Sequence, residues 1–353
     1  MGDSSPSPDR EANQEIVNSL RNDLELRYLK FEPGTFLFGE IAEALKVADT
    51  KYSIVCSDDD FVLPKALSKC VDFLESNQDY AAASGWYLSL YAAEVRKPHK
   101  VRWRMPDSST PRSKLWAIRK AMLNIERNDP SSRFADGAFN EGPDCALFAV
   151  YRRRDQIRNM ELTAKVTSDF FFAEHFLMCL LPIQGKLKSL DTLYMVRRYQ
   201  SHDDYDPKLD PSLVPFDQLI VSKDFSRKYS LFRDCIGHEL SNATSMPLEK
   251  SGELIDHAFL GYLLFYLTHH LARRKKYKHG LDEIARMTKV LRAGWAAGSS
   301  AVLDRRLRDL LTSPYEFAIT SATLRKRSLQ LDVFLRRFSC DRDFEPIYDC
   351  MQG

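Results

Sequence analysis

The chain has 353 residues, enough for roughly two domains of ordinary size at about 100–200 residues each. Apolar residues make up 44% and charged residues 28%, as in an ordinary soluble globular protein. The net charge of +2 gives no ground for a nucleic-acid or strongly acidic partner.

Seven cysteines, at 56, 70, 145, 179, 235, 340 and 350, are scattered and form no C-x-x-C pair. That usage implies reduced thiols in a cytoplasmic protein, not a disulfide or zinc framework. The opening "MGDSSPSPDREANQ" carries no signal-peptide core. The uncharged stretch "HAFLGYLLFYLTHHLA" (257–272) is shorter than the ~20 apolar residues a membrane span needs, so no transmembrane segment is expected and a buried helix is.

In chain order, "EANQEIVNSLRND" (11–23) reads as a helix and "LRYLKF" (26–31) as a short strand. "TFLFGEIAEALKVAD" (35–49) has helical apolar spacing, with Thr35 as candidate N-cap. "YSIVCS" is a six-residue strand by its β-formers. "PKALSKCVDFLESN" (64–77) is a helix opened by Pro64, which suits the first turn. "AAASGWYLSLY" (81–91) returns to strand. Further on, "RFADGAFNEGPDCALFAVYRRRD" (133–155) predicts a polar loop and then a strand, with Asp136, Asn140 and Glu141 as residues that could face a second substrate. The run Arg152, Arg153, Arg154 is open to two readings, a phosphate contact or a solvated face. Such alternation implies an α/β fold, a mainly parallel sheet with helices on both faces.

The pattern changes near residue 205. "HDDYDPKLDPSLVP" (202–215) reads as a linker, and helical periods continue from there to the end. The expected organisation is an α/β domain over 1–205 and a helical region over 206–353. His257, His269 and His270 form no metal-binding helical motif.

The stretch "IVCSDDDF" carries the chemistry. Asp58, Asp59 and Asp60 follow the apolar run and precede the helix at Pro64. Ligands of open α/β sheets bind outside the carboxyl ends of strands. One aspartate there is commonly a turn residue, and Asp60 is open to that reading. Three together exceed what a turn needs and suit a hard divalent cation such as Mn²⁺ or Mg²⁺.

"YSIVCSDDDFVLPKALSKCVDFLESNQDYAAASGWY" resembles the DXD region of GT-A glycosyltransferases, closest to the bacterial family-2-like type. "MGDSS" is similar to the end of that family's second strand, and "SDFFFAEHFLMCLLPIQGKLKSLDTLYMVRRYQSH" (168–202) to its later block. There an acidic residue opens a helix, a Gly ends it, and a hairpin terminating in His comes next. The resemblance spans about residues 1–205.

The resemblance implies a role for each residue it matches. Asp3 lies beside the nucleotide base and Asp58 meets the ribose. Asp59 binds the cation, Asp60 is a second ligand or support, and His202 completes the metal or diphosphate site. Asp169 is the base that takes the acceptor's proton, with Glu174 in reserve, although Asp169 also suits a helix cap. The donor is a nucleotide-sugar, and the acceptor a glycan, lipid-linked or protein hydroxyl.

Family members carry an apolar strand and a helix ahead of the segment similar to "DSS". This β-α unit is expected to be absent here, leaving a sheet edge through which copies could associate. A noncatalytic descendant acting by binding is therefore the second reading. A phosphohydrolase ranks last, since Phe61 stands where its D-x-D-x-T/V pattern needs a small residue.

Overall fold

The computed structural model describes residues 1–58, 60–91, 116–120, 124–138, 144–199, 219 and 222–273. The chain opens with β1 (Gly2–Asp3), α1 (Asp9–Leu20) and β2 (Leu29–Lys30). β1 and β2 pair in parallel as a ribbon of their own. α2 (Leu37–Val47) buries Phe38, Ala42 and Leu45 on one face. Thr35 does not cap it. Phe36 holds the N-cap position, and the Thr35 hydroxyl donates to the Glu32 carbonyl at 2.6 Å.

β3 (Tyr52–Ser53) and β4 (Phe61–Val62) flank the aspartate cluster. α3 (Pro64–Ser76) starts at Pro64 as expected and buries Ala66, Cys70 and Leu74, one per turn of a single face. β5 (Tyr80–Tyr91) is the central strand, and its run Ala82, Ala83, Ser84 is buried on both faces. The rest comprises β6 (Trp116–Lys120), α4 (Pro130–Gly137), α5 (Asp144–Leu147), β7 (Val150–Arg152), α6 (Arg153–Val166), α7 (Phe170–Gln184), β8 (Lys186–Tyr199), α8 (Phe225–Thr244) and α9 (Leu248–Arg273).

The α/β class with helices after it stands, with the strand directions corrected. The six-stranded sheet runs β3-β7-β5-β8-β4, with β6 also on β5. β5 and β8 are parallel, while β3/β7, β5/β7, β5/β6 and β4/β8 are antiparallel. The sheet is therefore mixed, not mainly parallel, because apolar patterning records burial and not the direction of a neighbour. The hairpin expected after Gly185 is a single strand, β8, whose register against β5 shifts around Ser84, Trp86 and Tyr87. The polar loop expected from 133 begins as α4, capped by Asp129, whose carboxylate accepts from Ser132 N–H at 2.8 Å.

α7 organises the interior. It is mostly apolar around its circumference, with Glu174 and His175 buried among the apolar residues. Ala173, Leu177, Met178 and Leu181 face the core shared with the sheet, α2 and α3. Phe172, Phe176, Cys179, Leu180 and Ile183 face a second core built with Phe225, Tyr229, Phe232 and Phe259 of α8 and α9. There Phe172 stacks on Phe232 with ring centroids 4.6 Å apart, a favourable aromatic arrangement. The expected boundary near 205 lies outside the described residues.

Candidate active site

Asp60 is placed by β4. Phe61 and Val62 pair with Val196 and Met195 of β8, which brings Arg197 against the preceding residue. Asp60 is buried, and its Oδ2 lies 3.1 Å from Arg197 Nε. The guanidinium also stands over the Phe148 ring, 4.2 Å from its centroid. A carboxylate in such a place needs a charged partner, since an unpaired buried charge is costly. Asp58 is exposed in the turn. Asp59 and His202 lie outside the described residues, so the cation site assigned to Asp59, Asp60 and His202 is described only at Asp60. Among the described residues no group of three His, Cys, Asp or Glu side chains is placed to hold an ion. The donor chemistry of Asp58 and Asp60, hard carboxylate oxygen, nonetheless fits Mn²⁺ or Mg²⁺.

Asp3 sits on the ribbon, buried, with its oxygens engaged. Oδ1 accepts from Ser5 N–H at 2.8 Å, and Oδ2 accepts from Asn13 Nδ2 at 3.0 Å and from the Tyr28 hydroxyl. Burial pushes this carboxyl upward, but the bonds from Tyr28, Ser5 and Asn13 outweigh it and hold the group far below the usual carboxylate range. Glu40, on the first turn of α2, is also buried, and burial raises its pKa while the nearby Ser4 hydroxyl opposes the shift. Two residues before it, Phe38 meets Phe170 with centroids 5.9 Å apart. The start of α2 thus meets the start of α7 through Phe38, while its Glu40 faces the charge of Asp3.

Asp169 occupies the N-cap position of α7 but makes no side-chain capping bond. Its carboxylate, buried, lies instead 2.9 Å from Lys228 Nζ on α8. Lys228 is also 3.0 Å from Asp224 Oδ2. Burial lowers the Lys228 pKa, yet Asp169 and Asp224 together raise it above its ordinary value. Glu174 is buried one turn further into α7. Beside it, His175 meets the Tyr262 ring edge-on at 4.4 Å, and burial pushes its imidazole down to about 3.

The remaining candidates resolve into structural roles or lie outside the description. Asp136 pairs with Arg127 at 2.6 Å on the surface. Asn140 and Glu141 are outside the described residues. Two arginines of the run bind main chain, not open solvent. Arg152 donates to the Tyr80 and Leu74 carbonyls at 2.6 and 2.8 Å, and Arg153 to Thr50 and Leu45 at 2.6 and 3.2 Å. Only Arg154 of the three is exposed.

The sequence reading missed Arg197 and Lys228, the cations that neutralise Asp60 and Asp169. Lys228 stands outside every motif, Arg197 has no assigned role in the block that contains it, and each lies far along the chain from its partner. The one available signal was the cost of burying carboxylates, which demands such cations without naming them.

Residues 2–127 match the family model described as glycosyl transferase family 2. The resemblance read from the residues is shown for this segment, which contains Asp3 and the 58–60 cluster and ends before Asp169. No curated protein matches the chain. Among solved structures, S. aureus TarS is similar at 13% identity and a TM-score of 0.42, over 86% of this chain and 44% of that one. S. aureus TarS 1-349 is similar at 14% identity and a TM-score of 0.41, over 82% of this chain and 68% of that one. The chain spans under half the length of the first. Likenesses this distant carry no weight in assigning a function.

Proposed function

We propose that the protein is a glycosyltransferase that moves a sugar from a nucleotide-sugar donor to an acceptor hydroxyl with the help of a divalent cation. The observation that carries the reading is the family match across residues 2–127, because that segment holds three aspartates between β3 and β4. In this reading residues 1–205 bind the donor, and residues 206–353 form a helical region that shapes the acceptor side. The scattered cysteines, which form no C-x-x-C pair, support a cytoplasmic location. No described helix is long and apolar enough to cross a membrane.

Each residue has a role set by charge. Asp59 and Asp60, joined by His202, hold Mn²⁺ or Mg²⁺, which when bound neutralises the charge on a departing diphosphate. Asp58 accepts hydrogen bonds from the ribose. Asp3, kept anionic by its own hydrogen bonds, fixes the ribbon against the base. Asp169 takes the proton of the attacking acceptor hydroxyl, with Glu174 as the alternative base. The acceptor is a glycan, lipid-linked or protein hydroxyl.

Calorimetry with MnCl₂ and UDP or GDP tests the donor site. Binding of nucleotide that strengthens with Mn²⁺ and is lost in Asp59→Ala is expected. Equal affinity of wild type and variant, with and without the metal, would sink the reading. For the chemical step, Asp169→Asn is expected to lower transfer by about 10²–10⁴-fold with nucleotide binding intact. Transfer at the wild-type rate would remove Asp169 from the mechanism and shift its role to Glu174.

A second reading, a noncatalytic binding protein, draws on the arginine and lysine already paired with Asp60 and Asp169. It predicts nucleotide binding without release of UDP or GDP from any sugar conjugate.

A further inference from the structure

Two groups compete for the Asp169 carboxylate. The first N–H groups of α7 lack intrahelical acceptors, and aspartate is among the best residues to cap them. Asp169 nevertheless makes no such bond. Its own N–H is engaged by Thr167 Oγ1 at 3.0 Å, and the Thr167 hydroxyl reaches Oδ2 at 3.5 Å. The carboxylate is directed to Lys228 Nζ, 2.9 Å away, with the acid side chain only 5% exposed.

Lys228 is an unusual residue for its place. It lies in the first turn of α8, where the positive end of the helix dipole disfavours a cation. Asp224 at 3.0 Å and Asp169 at 2.9 Å offset that penalty together. An ammonium, a compact charge with three rotatable donors, can serve both carboxylates at once. Asp224 is itself fixed by the Ser222 hydroxyl at 2.9 Å. The lysine is thus tethered on the α8 side and reaches across to the start of α7.

We propose that Lys228 is a positioning residue for Asp169. Its ammonium engages Oδ2 and so holds the carboxylate off the N-terminus of α7, leaving Oδ1 turned from the helix N–H groups as the oxygen that accepts the proton. The inference rests on the reading of Asp169 as the base. It makes α8 part of the machinery, not merely a cover over the second core.

The test separates placement from chemistry. In Lys228→Met the carboxylate loses its ammonium, and the helix N–H groups become its best partners. Exchange of the Phe171 and Phe172 amides, monitored by NMR, should then slow by about fivefold, the worth of one N-cap. Release of UDP or GDP from a panel of their sugar conjugates in the presence of acceptor should fall by about 10²-fold, as expected for a displaced catalytic group. The donor KM should stay within about twofold, because a displaced base affects the chemical step and not donor binding. Lys228→Arg should restore release to within about tenfold, since it keeps the charge but not the ammonium geometry. Lys228→Gln, with a neutral donor of similar reach, serves if the methionine variant folds poorly, and should shift exchange and turnover in the same direction. Wild-type exchange at Phe171 and Phe172 in folded Met or Gln variants would overturn the proposal. Slowed exchange with unaltered release would uphold the placement and overturn the base reading of Asp169 alone.

Discussion

Arg133 offers a direct measure of what anchors α7. Its guanidinium, 7% exposed, donates from Nε to the Pro182 carbonyl at 2.7 Å and from Nη2 to the Ile183 carbonyl at 3.1 Å. From Nη1 it donates to the Asn128 and Arg127 carbonyls at 2.6 and 3.1 Å. Pro182 and Ile183 lie in the last turn of α7, where carbonyls have no helical partner and the dipole favours a cation. Burial lowers the Arg133 pKa, so the side chain is held against its desolvation cost by those four carbonyls. Arg133→Met removes all four bonds. The Asn128 and Arg127 carbonyls are partly buried and regain water; the two on α7 are buried and do not. At about 1–3 kcal/mol for each of these two unsatisfied buried groups, the expected loss is about 2–6 kcal/mol. At about 2–4 °C per kcal/mol, the melting temperature should drop by about 10 °C. Arg127→Ala, on a pair whose side chains are 65% and 44% exposed, is the control and should cost no more than about 0.5 kcal/mol. Urea unfolding of both variants against wild type decides the matter. A loss in Arg133→Met below about 1 kcal/mol, or equal to that of the control, would refute the reasoning from buried carbonyls.

Lys228 and Gly85 give two further expected outcomes. Lys228 has its pKa raised in the folded protein, so its contribution is full below the unfolded value of about 10.4 and is lost as pH rises through the raised value. The urea midpoint should therefore fall more steeply above that pH in wild type than in Lys228→Met, and parallel curves would contradict the pairing. A Cβ at Gly85 would lie 2.5 Å from the Thr192 carbonyl oxygen, so Gly85→Ala should destabilise by about 1–3 kcal/mol through strain at the β5/β8 irregularity. A melting temperature equal to wild type would show that the strand yields there without cost.

Much of the fold is legible in the residues, and the failures have a common cause. α3 is marked by Pro64 and by its apolar residues four apart, both local signals. α7 is marked by its mostly apolar residues and by Gly185, whose N–H closes the helix on the Leu181 carbonyl at 3.1 Å. "YSIVCS" reads as six residues of strand, yet only Tyr52 and Ser53 meet β7, because a ladder needs a neighbour and the neighbour is remote in sequence. Strand direction is hidden for the same reason. At the site, the acids stand out because clustered carboxylates are costly. Their counter-ions do not, since Arg197 lies 137 residues beyond Asp60 and looks like any strand arginine.

The ribbon of β1 and β2 shares no ladder with the six-stranded sheet among the described residues. It is instead closed on itself around Asp3: Asn13 and Tyr28 converge on the carboxylate, and Arg10 of α1 donates to the Phe31 carbonyl at 2.6 Å. A segment whose hydrogen bonds are mostly internal opens as a cooperative unit of its own, below the free energy of global unfolding. The amides of the first thirty or so residues are therefore expected to exchange together, ahead of those in the elements carrying Asp60 and Asp169. A ligand bridging the two must suppress that opening, and part of its binding free energy goes into quieting the ribbon.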